Sequence, residues 1–510
     1  MIESFRKRRR QTAEEHAEPR ARGRASQRAS IALCLLMLLA ASAALVIGCS
    51  DEDPEEPRSE LPYANEASLH ARALDVRYDA ASDSVVFEMH VQGDAGSVKP
   101  TPAGQVHGAP VLGYVFLTNL RPTDVGFDDV EGTVALAATS HPDFDDTPLW
   151  DEDGNADYDD DGAIYHAHWV VLVEDARAPA GLASRQVSEG SVLPPTAPMP
   201  MYLDSPGFTI VEQADKIRVI VPSDRIGRRF DLQVGGVVAY MQVDTSGETP
   251  FVAVHGLISA VDGGALSTAL TGASSAPTSS WPSRTVTEIP SELSDPFDVQ
   301  AAVARYSAEQ DSFILSMRVS GAIGSVEPEP VGSVDGAPVL GYVFPTTIPP
   351  SALGFKGIEG IVVLAVTSHP DFDDTPLWDE TRDGDYSNDG GFYHVHWAVL
   401  VEDTGSPAGF SVPSQSDESM LPPTAPMHMY LDSPGYHTFA NGDELSVVIP
   451  AWHLRGVEGF SYDALTAQMR VDGSGHAHVL RVEQVYSVLS GDLSLPLSVS
   501  KSQATQATKK

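Results

Sequence analysis

The sequence predicts a mainly β protein of two tandem, homologous, antiparallel β-sandwich domains of jelly-roll-like type. Two observations predict this fold class. Short runs rich in β-branched residues, such as 85–91 and the alternating 216–221, lie between Gly, Pro, Asp and Ser turns, which is typical of strands. Several markers of the first half return 228 positions later, which indicates a duplicated domain.

The duplication is visible without insertions or deletions. Residues 108–116 recur unchanged at 336–344, and residues 194–199 recur at 422–427. A period of this length is too long for a solenoid unit, so a whole domain has been copied. We expect the β-domains at residues 62–260 and 290–490, with a flexible Ser/Thr/Pro-rich linker at 261–289 and a polar tail at 491–510.

The N-terminus has the features of an export signal. Residues 1–30 contain nine basic and four acidic side chains, and the uncharged, apolar residues 31–47 follow. The segment ends in Val46-Ile47-Gly48-Cys49, which resembles the lipobox of bacterial lipoproteins. The resemblance implies a signal peptide at 1–48 and lipidation of Cys49. An uncleaved membrane anchor is the alternative, since 17 apolar residues lie at the lower limit of a transmembrane span.

The same resemblance implies a location. Ser50 after the cysteine favours the outer membrane of the cell envelope, either its periplasmic side or its surface, with the membrane as a partner through the lipid anchor. An acidic tether at 49–61 precedes the first domain. The remaining cysteine, Cys34, lies in the apolar segment, so the mature domains contain no cysteine. Disulfides, thiolate metal sites and a cysteine nucleophile are therefore excluded from them.

The charge excludes another class of partner. The chain carries 32 Lys and Arg against 71 Asp and Glu, a net charge of -39. The first 48 residues hold nine basic and four acidic residues, so the predicted mature chain has 23 and 67, a net charge of -44. Such acidity argues against nucleic-acid binding, which depends on clustered Lys and Arg. We expect a monomer whose external partner is a glycan or a protein.

One repeated segment carries candidate metal ligands. Residues 139–152 recur unchanged at 367–380, and a Tyr-His-x-His-Trp motif at 165–169 recurs at 393–397. On a strand, the two histidines of this motif point to the same face. Together with a third histidine and nearby aspartates, they offer the nitrogen and oxygen ligands that Zn, Cu, Fe or Mn accept. The candidates are His141, Asp143, Asp145, Asp146, Asp151, Asp157, Asp161, His166 and His168, and in the second copy His369, Asp371, Asp373, Asp374, Asp379, Asp385, Asp389, His394 and His396.

Calcium at the acidic loops is the alternative cofactor. Asp151, Asp153, Asn155 and Asp157 are spaced like the first half of an EF-hand loop. That pattern requires Gly at its sixth position and Glu at its twelfth, where the first copy has Ala156 and Gly162. Two simpler interpretations also stay open, namely a solvated acidic turn and buried histidines satisfied by neighbouring polar groups.

Three functional hypotheses follow. The preferred one is an exported, lipid-anchored protein whose two domains bind a metal ion or an extracellular ligand without being an enzyme. The second is a metal-dependent enzyme, in which the histidines hold a catalytic ion and Asp143, Asp145 or Glu174 transfers protons. The third is a calcium-rigidified adhesion or carbohydrate-binding module. Its aromatic platform would contain Trp150, Trp169, Trp378 and Trp397.

Overall fold

A computed structural model describes residues 61–272, 281–474 and 477–503. The predicted signal peptide, Cys49 and residues 49–60 of the acidic tether lie outside these ranges. Within them, the regular structure is almost entirely β, and no helix is long and apolar enough to cross a membrane.

Each domain contains a similar succession of strands. The strands of the first domain are β1 (Ala71–Asp79), β2 (Ser84–Val91), β3 (Pro110–Thr118), β4 (Thr133–Ser140), β5 (His166–Glu174), β6 (Leu182–Ser184), β7 (Leu203–Asp204), β8 (Thr209–Gln213), β9 (Lys216–Pro222), β10 (Gln233–Asp244), β11 (Phe251–Val261) and β12 (Thr268–Ala269). Those of the second are β13 (Thr285–Thr287), β14 (Val299–Ser307), β15 (Ser312–Val319), β16 (Val326–Pro328), β17 (Pro338–Thr346), β18 (Ile361–Ser368), β19 (His394–Glu402), β20 (Phe410–Val412), β21 (Leu431–Asp432), β22 (Thr438–Asn441), β23 (Glu444–Pro450), β24 (Gly459–Tyr462), β25 (Leu465–Ser474), β26 (Ala477–Val488) and β27 (Leu497–Ser500).

The helices of the described residues are short 3-10 turns between strands. Their bounds are Ala67–Leu69, Pro122–Val125, Asp161–Ala163, Ser223–Ile226, Asp262–Gly264, Asp295–Phe297, Pro350–Leu353, Asp389–Gly391, Glu418–Met420, Ala451–Leu454 and Lys501–Gln503.

Each domain packs a four-stranded antiparallel sheet against a larger sheet. In the first domain the small sheet has the order β1-β2-β9-β8, and in the second β14-β15-β23-β22. In the larger sheet, β3, β4, β5, β6, β11 and β10 pair in succession, and β10 pairs again with β3. Six strands thus form a closed ring. The second domain repeats it with β17, β18, β19, β20, β26 and β25.

Side chains along the ring strands point alternately to the two faces of the sheet, and this divides the core into two layers. Leu112, Tyr114 and Phe116 of β3 face the small sheet and pack with residues such as Phe87. Val111 and Val115, from the alternate positions, face the interior of the ring. Because successive side chains of a strand point to opposite faces, a long ring strand such as β3 contributes to both layers.

The predicted fold class is confirmed, since the chain is mainly β and consists of two tandem domains built from antiparallel sheets. Strands β2 and β9 lie where their β-branched runs predict them. Closure of the larger sheet into a ring is a feature that the sequence does not reveal, because it depends on pairing between β3 and β10, which are far apart in the chain.

The structured part of each domain extends beyond the predicted linker and tail boundaries. Strand β12 pairs with β10, and β13 pairs in parallel with β16, so both ends of the predicted 261–289 linker belong to domains. Only residues 273–280 of that segment are outside the described ranges. Similarly, β27 pairs with β24 inside the predicted polar tail at 491–510. Such short strands are stabilised by a neighbouring edge, so local composition does not indicate them.

The two domains contact each other through equivalent surfaces. The Tyr386 hydroxyl donates to the carbonyl oxygen of Gly126 at 3.4 Å, and the Tyr158 hydroxyl, 228 positions earlier, lies against Gly354. Arg455 forms an ion pair with Asp151 at 2.6 Å. The repeated acidic segment of each domain therefore lies against the other domain.

Candidate metal centre

The first strand of the site is β5, which begins at the first histidine of the repeated motif. Tyr165 and Trp169 point into the core between the two sheets, as the alternation predicts. His166 and His168 point to the opposite side, which is the interior of the ring, and both are buried. Strand β4 supports them, since Thr139 pairs with His166.

The other two site residues come from the loop after β4. The backbone N–H of His141 donates to the carbonyl oxygen of Gly162 at 2.7 Å, which draws the loop back across the start of β5. A Cβ at Gly162 would lie 2.0 Å from the carbonyl oxygen of Phe144, so only glycine fits at this crossing. The same crossing exists in the second domain at Gly390. This tight loop brings Asp146 under the histidines.

In the first domain, four donor atoms converge on one point. The Oδ1 atom of Asp146 lies 3.3 Å from the Nε2 atom of His141, 3.2 Å from that of His166 and 3.6 Å from that of His168. The Nε2 atoms of His141 and His166 are 2.7 Å apart. The structure thus unites four of the nine candidates predicted in this copy.

The second domain reproduces the arrangement. Asp374 Oδ1 lies 3.1 Å from Nε2 of His369, 3.0 Å from that of His394 and 3.5 Å from that of His396. All four side chains are buried. We call these groups the first and second histidine clusters.

Outer hydrogen bonds fix which nitrogen faces the centre. The Nδ1 atoms of His141 and His166 lie 3.0 Å and 3.1 Å from the carbonyl oxygens of Phe144 and Ile164, respectively. A carbonyl oxygen only accepts hydrogen bonds, so each Nδ1 carries a proton and each Nε2 faces the centre of the cluster. Metal-binding histidines are commonly oriented in this way.

For His168 the outer partner is a hydroxyl group. Its Nδ1 atom lies 3.0 Å from the Ser205 Oγ atom, and in the second domain Ser433 holds the same position at 2.9 Å from His396. Strand β7 pairs with β5 just beyond His168, which brings the serine there. Sequence reasoning missed Ser205 and Ser433. The signal was available, because both lie in a Leu-Asp-Ser-Pro-Gly segment that recurs at the 228-residue displacement.

Burial and charge leave the inner atoms unpaired. Burial lowers the pKa of His168 to about 3, so its imidazole is neutral at neutral pH. Burial raises the pKa of Asp146, but the histidines around it, including the hydrogen bonds from His141 and His166, outweigh this and hold it well below its usual range. His168 Nε2 and Asp146 Oδ1 are buried and have no hydrogen-bond partner. An unpaired carboxylate oxygen beside a neutral imidazole nitrogen is costly unless a cation lies between them.

The donor set fits a first-row transition metal. A tetrahedral zinc ion about 2.0–2.1 Å from each donor keeps the donors about 3.3 Å apart. The three distances from Asp146 Oδ1 lie close to this value. The Nε2 atoms of His141 and His166, at 2.7 Å, and those of His369 and His394, at 2.9 Å, are closer than this, so each pair must separate by a few tenths of an ångström for the cluster to hold the ion.

The acidic loop is organised differently from an EF-hand. Asp151, Asp153 and Asp161 come close enough to hold an ion in the first domain. However, the Asp151 carboxylate accepts from the N–H of Ala156 at 2.9 Å and pairs with Arg455, and Asp161 accepts from the N–H of Glu152 at 2.8 Å. Their charges are therefore already partly satisfied within the chain.

Asp157 lies outside the group formed by Asp151, Asp153 and Asp161. It is exposed and accepts from the N–H of Asp159 at 3.2 Å. Its counterpart Asp385 accepts from the N–H of Ser387. The twelfth position is glycine because of the close crossing at Gly162, so no bidentate carboxylate is available there.

In the second domain, Asp379 and Asp389 also accept backbone N–H groups. Asp379 accepts from Gly384 at 2.8 Å, and Asp389 accepts from Glu380 at 2.9 Å. Both carboxylates therefore shape the loop.

Other predicted candidates support loops and lie outside the clusters. Asp143 accepts from the N–H groups of Ala103 and Gly104, and Asp371 does the same for residues 331 and 332. Asp145 accepts from the N–H of Thr147 at 2.9 Å, and Asp373 repeats this turn. Burial raises the pKa of Asp145.

Two elements of the alternative hypotheses are corrected. Glu174 is exposed at the far end of β5, six residues beyond His168, so it does not reach the cluster. The predicted carbohydrate platform is not exposed either. Its tryptophans are buried: Trp150, Trp169, Trp378 and Trp397.

Comparisons with known proteins do not place the chain in a family. No protein-family model matches it, and neither does any curated protein. Among solved structures, one chain found by the search belongs to a Ca2+-stabilized adhesin that helps an Antarctic bacterium reach out and bind ice. It is 11% identical, and the match covers 82% of this chain and 100% of that chain with a TM-score of 0.07.

Proposed function

We propose that this protein is exported and anchored to the cell envelope by a lipid on Cys49, and that each of its two domains binds one transition-metal ion. The observation that carries the proposal is the convergence of three imidazole nitrogens and one carboxylate oxygen in each domain. In the first domain, His168 Nε2 and Asp146 Oδ1 are buried without partners. A divalent cation satisfies both atoms at once.

Zinc is the ion that this arrangement favours. Imidazole nitrogen and carboxylate oxygen are common zinc ligands, and the donor spacing is close to tetrahedral. The absence of cysteine from the predicted mature domains suits an exported protein, because imidazole ligands are not lost to disulfide formation in an oxidising compartment.

The proposal is tested on the full chain produced in a bacterium that processes lipoproteins. We expect wild-type protein to incorporate radiolabelled palmitate and the Cys49→Ser variant to incorporate none. Detergent-purified wild type should contain two zinc ions per chain by plasma mass spectrometry. The His168→Ala and His396→Ala variants should each contain one, and the double variant none.

The exposed His428 supplies the control. Its side chain is 42% exposed and belongs to neither cluster, so the His428→Ala variant should retain two ions. Two ions in the double variant, or metal-free wild type that takes up no zinc on dialysis, would contradict metal binding at the clusters. Palmitate incorporation that persists in the Cys49→Ser variant, or none in the wild type, would contradict the lipid anchor.

A metal-dependent enzyme is the second candidate function. One observation favours it, since His168 and Asp146 line a cavity as well as the cluster. A ligand in that cavity would reach the metal, as substrates do in catalytic zinc sites. Hydrolysis of ester or amide substrates that depends on zinc and is lost in the double histidine variant would support this candidate.

A further inference from the structure

Each ring encloses an apolar cavity that ends at its histidine cluster. The second-domain cavity has a volume of about 110 Å³ and the first-domain cavity about 60 Å³. In the second domain, His369, Asp374 and His396 line one end. The remaining walls are almost wholly aliphatic and include Leu400 and Met469. A water molecule would find too few polar partners along these walls.

A free hydroxyl group stands at the metal end of the second-domain cavity. Thr367 lines it, is 3% exposed, and its Oγ1 atom has no hydrogen-bond partner. The residue pairs with His394 across β18 and β19, which fixes it beside the cluster. A buried hydroxyl without a partner costs free energy, and a ligand atom in the cavity would remove that cost.

The second-domain cavity also reaches the surface. Ile361, Val485 and Leu493 line it and are 38%, 36% and 38% exposed, which is unusual for large apolar side chains in this protein. Ile361 and Thr367 lie six residues apart on β18, or about 20 Å of extended strand. The walls of the cavity therefore extend from an apolar opening to the histidine cluster.

The net charge of the proposed metal ion and its ligands indicates the charge of the ligand head group. A divalent ion with three neutral histidines and one aspartate has a net charge of about +1. A buried, uncompensated charge is unfavourable, so a monoanion at the metal is favoured over a neutral molecule. Zinc in proteins sometimes expands from four to five donors, and a ligand oxygen would be the fifth donor here.

We propose that the second domain binds a monocarboxylate with an unbranched apolar tail, such as a medium-chain fatty acid. The carboxylate contacts the metal ion and accepts a hydrogen bond from the Thr367 hydroxyl, and the tail lies along the interior of the ring. The inference rests on the proposed metal binding. It assigns a ligand class to the second histidine cluster.

The first domain has a poorer form of this site. Its cavity is about half as large, and Val170 replaces Ala398 two residues after the last histidine of the motif. At the opening, Thr133 stands at the position of Ile361. We therefore expect the first domain to bind medium-chain carboxylates weakly, so that one ligand per chain binds tightly.

The test uses the full chain loaded with cobalt(II), whose visible spectrum reports the atoms bound to the metal. Sodium octanoate should change the spectrum with a stoichiometry of one per chain and bind at least tenfold more tightly than sodium acetate, which lacks the tail. The neutral 1-octanol, which lacks the charge, should bind at least tenfold more weakly than octanoate. Calorimetry measures the affinities.

Variants in the two domains provide matched comparisons. Thr367→Val, nearly isosteric, and Ala398→Leu, which fills the cavity beside the cluster, should each weaken octanoate binding at least tenfold while two cobalt ions per chain remain. The equivalent Thr139→Val and Val170→Leu changes in the first domain should leave octanoate binding unaltered. The Thr367→Val variant keeps the test valid if Ala398→Leu does not fold.

The outcomes separate the two proposals. Two bound cobalt ions without an octanoate-induced spectral change would overturn the carboxylate site and leave metal binding intact. A chain that binds no cobalt would contradict the proposed metal binding itself. Octanoate binding that persists in both second-domain variants would place the ligand elsewhere and would also overturn the inference.

Discussion

At the scale of single residues, the histidine clusters depend on atoms that do not face the metal position. The Nδ1 contacts to backbone carbonyls and to Ser205 decide that the Nε2 atoms face the centre of the cluster. The Nδ1 contacts in the second domain are almost the same, with Ser433 in place of Ser205. The orientation of each ring is therefore set by the fold before any ion arrives.

The Ser205→Ala substitution tests this dependence. Loss of the hydroxyl frees His168 to rotate or to change tautomer, so zinc affinity of the first domain should fall by about 10- to 100-fold. Competition with a chromophoric chelator would resolve two affinities in the variant and show which domain is weakened. The exposed Ser246→Ala change is the control, and equal affinities in the Ser205 variant and the wild type would contradict the role of the hydroxyl.

At the scale of elements, the loop between Asp146 and His166 joins the first histidine cluster to the surface of the second domain. Its ends hold metal-cluster residues, and its middle lies against the other domain through Asp151 and Tyr158. Asp151 is 2% exposed and Arg455 is 10% exposed, and the guanidinium also lies 4.9 Å from the Tyr158 ring. This ion pair is shielded from water on both sides.

Removing Arg455 should therefore destabilise the chain more than removing a surface arginine. We expect the Arg455→Ala change to lower the free energy of unfolding by about 3–5 kcal/mol, because it leaves the Asp151 carboxylate buried and unpaired. Denaturant unfolding followed by tryptophan fluorescence measures this change. Adding Asp151→Asn should recover part of the loss.

The control is Arg481→Ala, since its pair with Asp472 is 32% and 48% exposed and exposed pairs contribute about 0–1 kcal/mol. Equal losses for the two arginine variants would show that the Asp151–Arg455 pair is screened like a surface pair.

The elements also show what the sequence could and could not predict. Runs of β-branched residues and the alternation of polar and apolar residues predicted β2 and β9. The two-residue spacing of His166 and His168 predicted their common face, since both signals are local properties of a strand. The selection of Asp146 from the neighbouring aspartates depended on the crossing at Gly162, which joins distant parts of the loop. A linear spacing also does not encode which carboxylates come together, so it did not predict that Asp161 rather than Asp157 joins Asp151 and Asp153.

At the scale of the whole molecule, the two domains form a pseudo-symmetric pair whose contact includes an asymmetric group around His437. His437 of the second domain is 2% exposed and lies 3.5 Å from Asp83 and 3.4 Å from Asp224 of the first. Burial opposes its protonation, but the two carboxylates prevail and raise the pKa of His437 to about 9. Arg228 and Arg225 lie on the same carboxylates, at 3.2 Å and 4.0 Å.

This contact predicts a pH dependence of stability. A histidine with a folded pKa near 9 and an unfolded pKa of about 6.5 stabilises the fold fully below pH 6.5, and this contribution is lost as the pH rises through 9. The difference in unfolding free energy between wild type and His437→Asn should therefore shrink by up to about 3 kcal/mol from pH 6.5 to pH 9.5. Urea unfolding at several pH values measures it. The exposed His428→Asn variant should parallel the wild type, and a difference that stays constant with pH would contradict the charged contact.

The loop that joins Asp146 to His166 also has a thermodynamic consequence. It takes part in the first histidine cluster and in the contact with the second domain, so an ion that orders it favours docking, and docking favours the ion by the same factor. The equivalent loop of the second domain contacts the first domain in the same way, since its Trp378 ring lies 3.8 Å from the Arg225 guanidinium. If each cluster holds an ion as proposed, two such reciprocal linkages within one chain would make the occupancies of the two sites cooperative without direct contact between the ions.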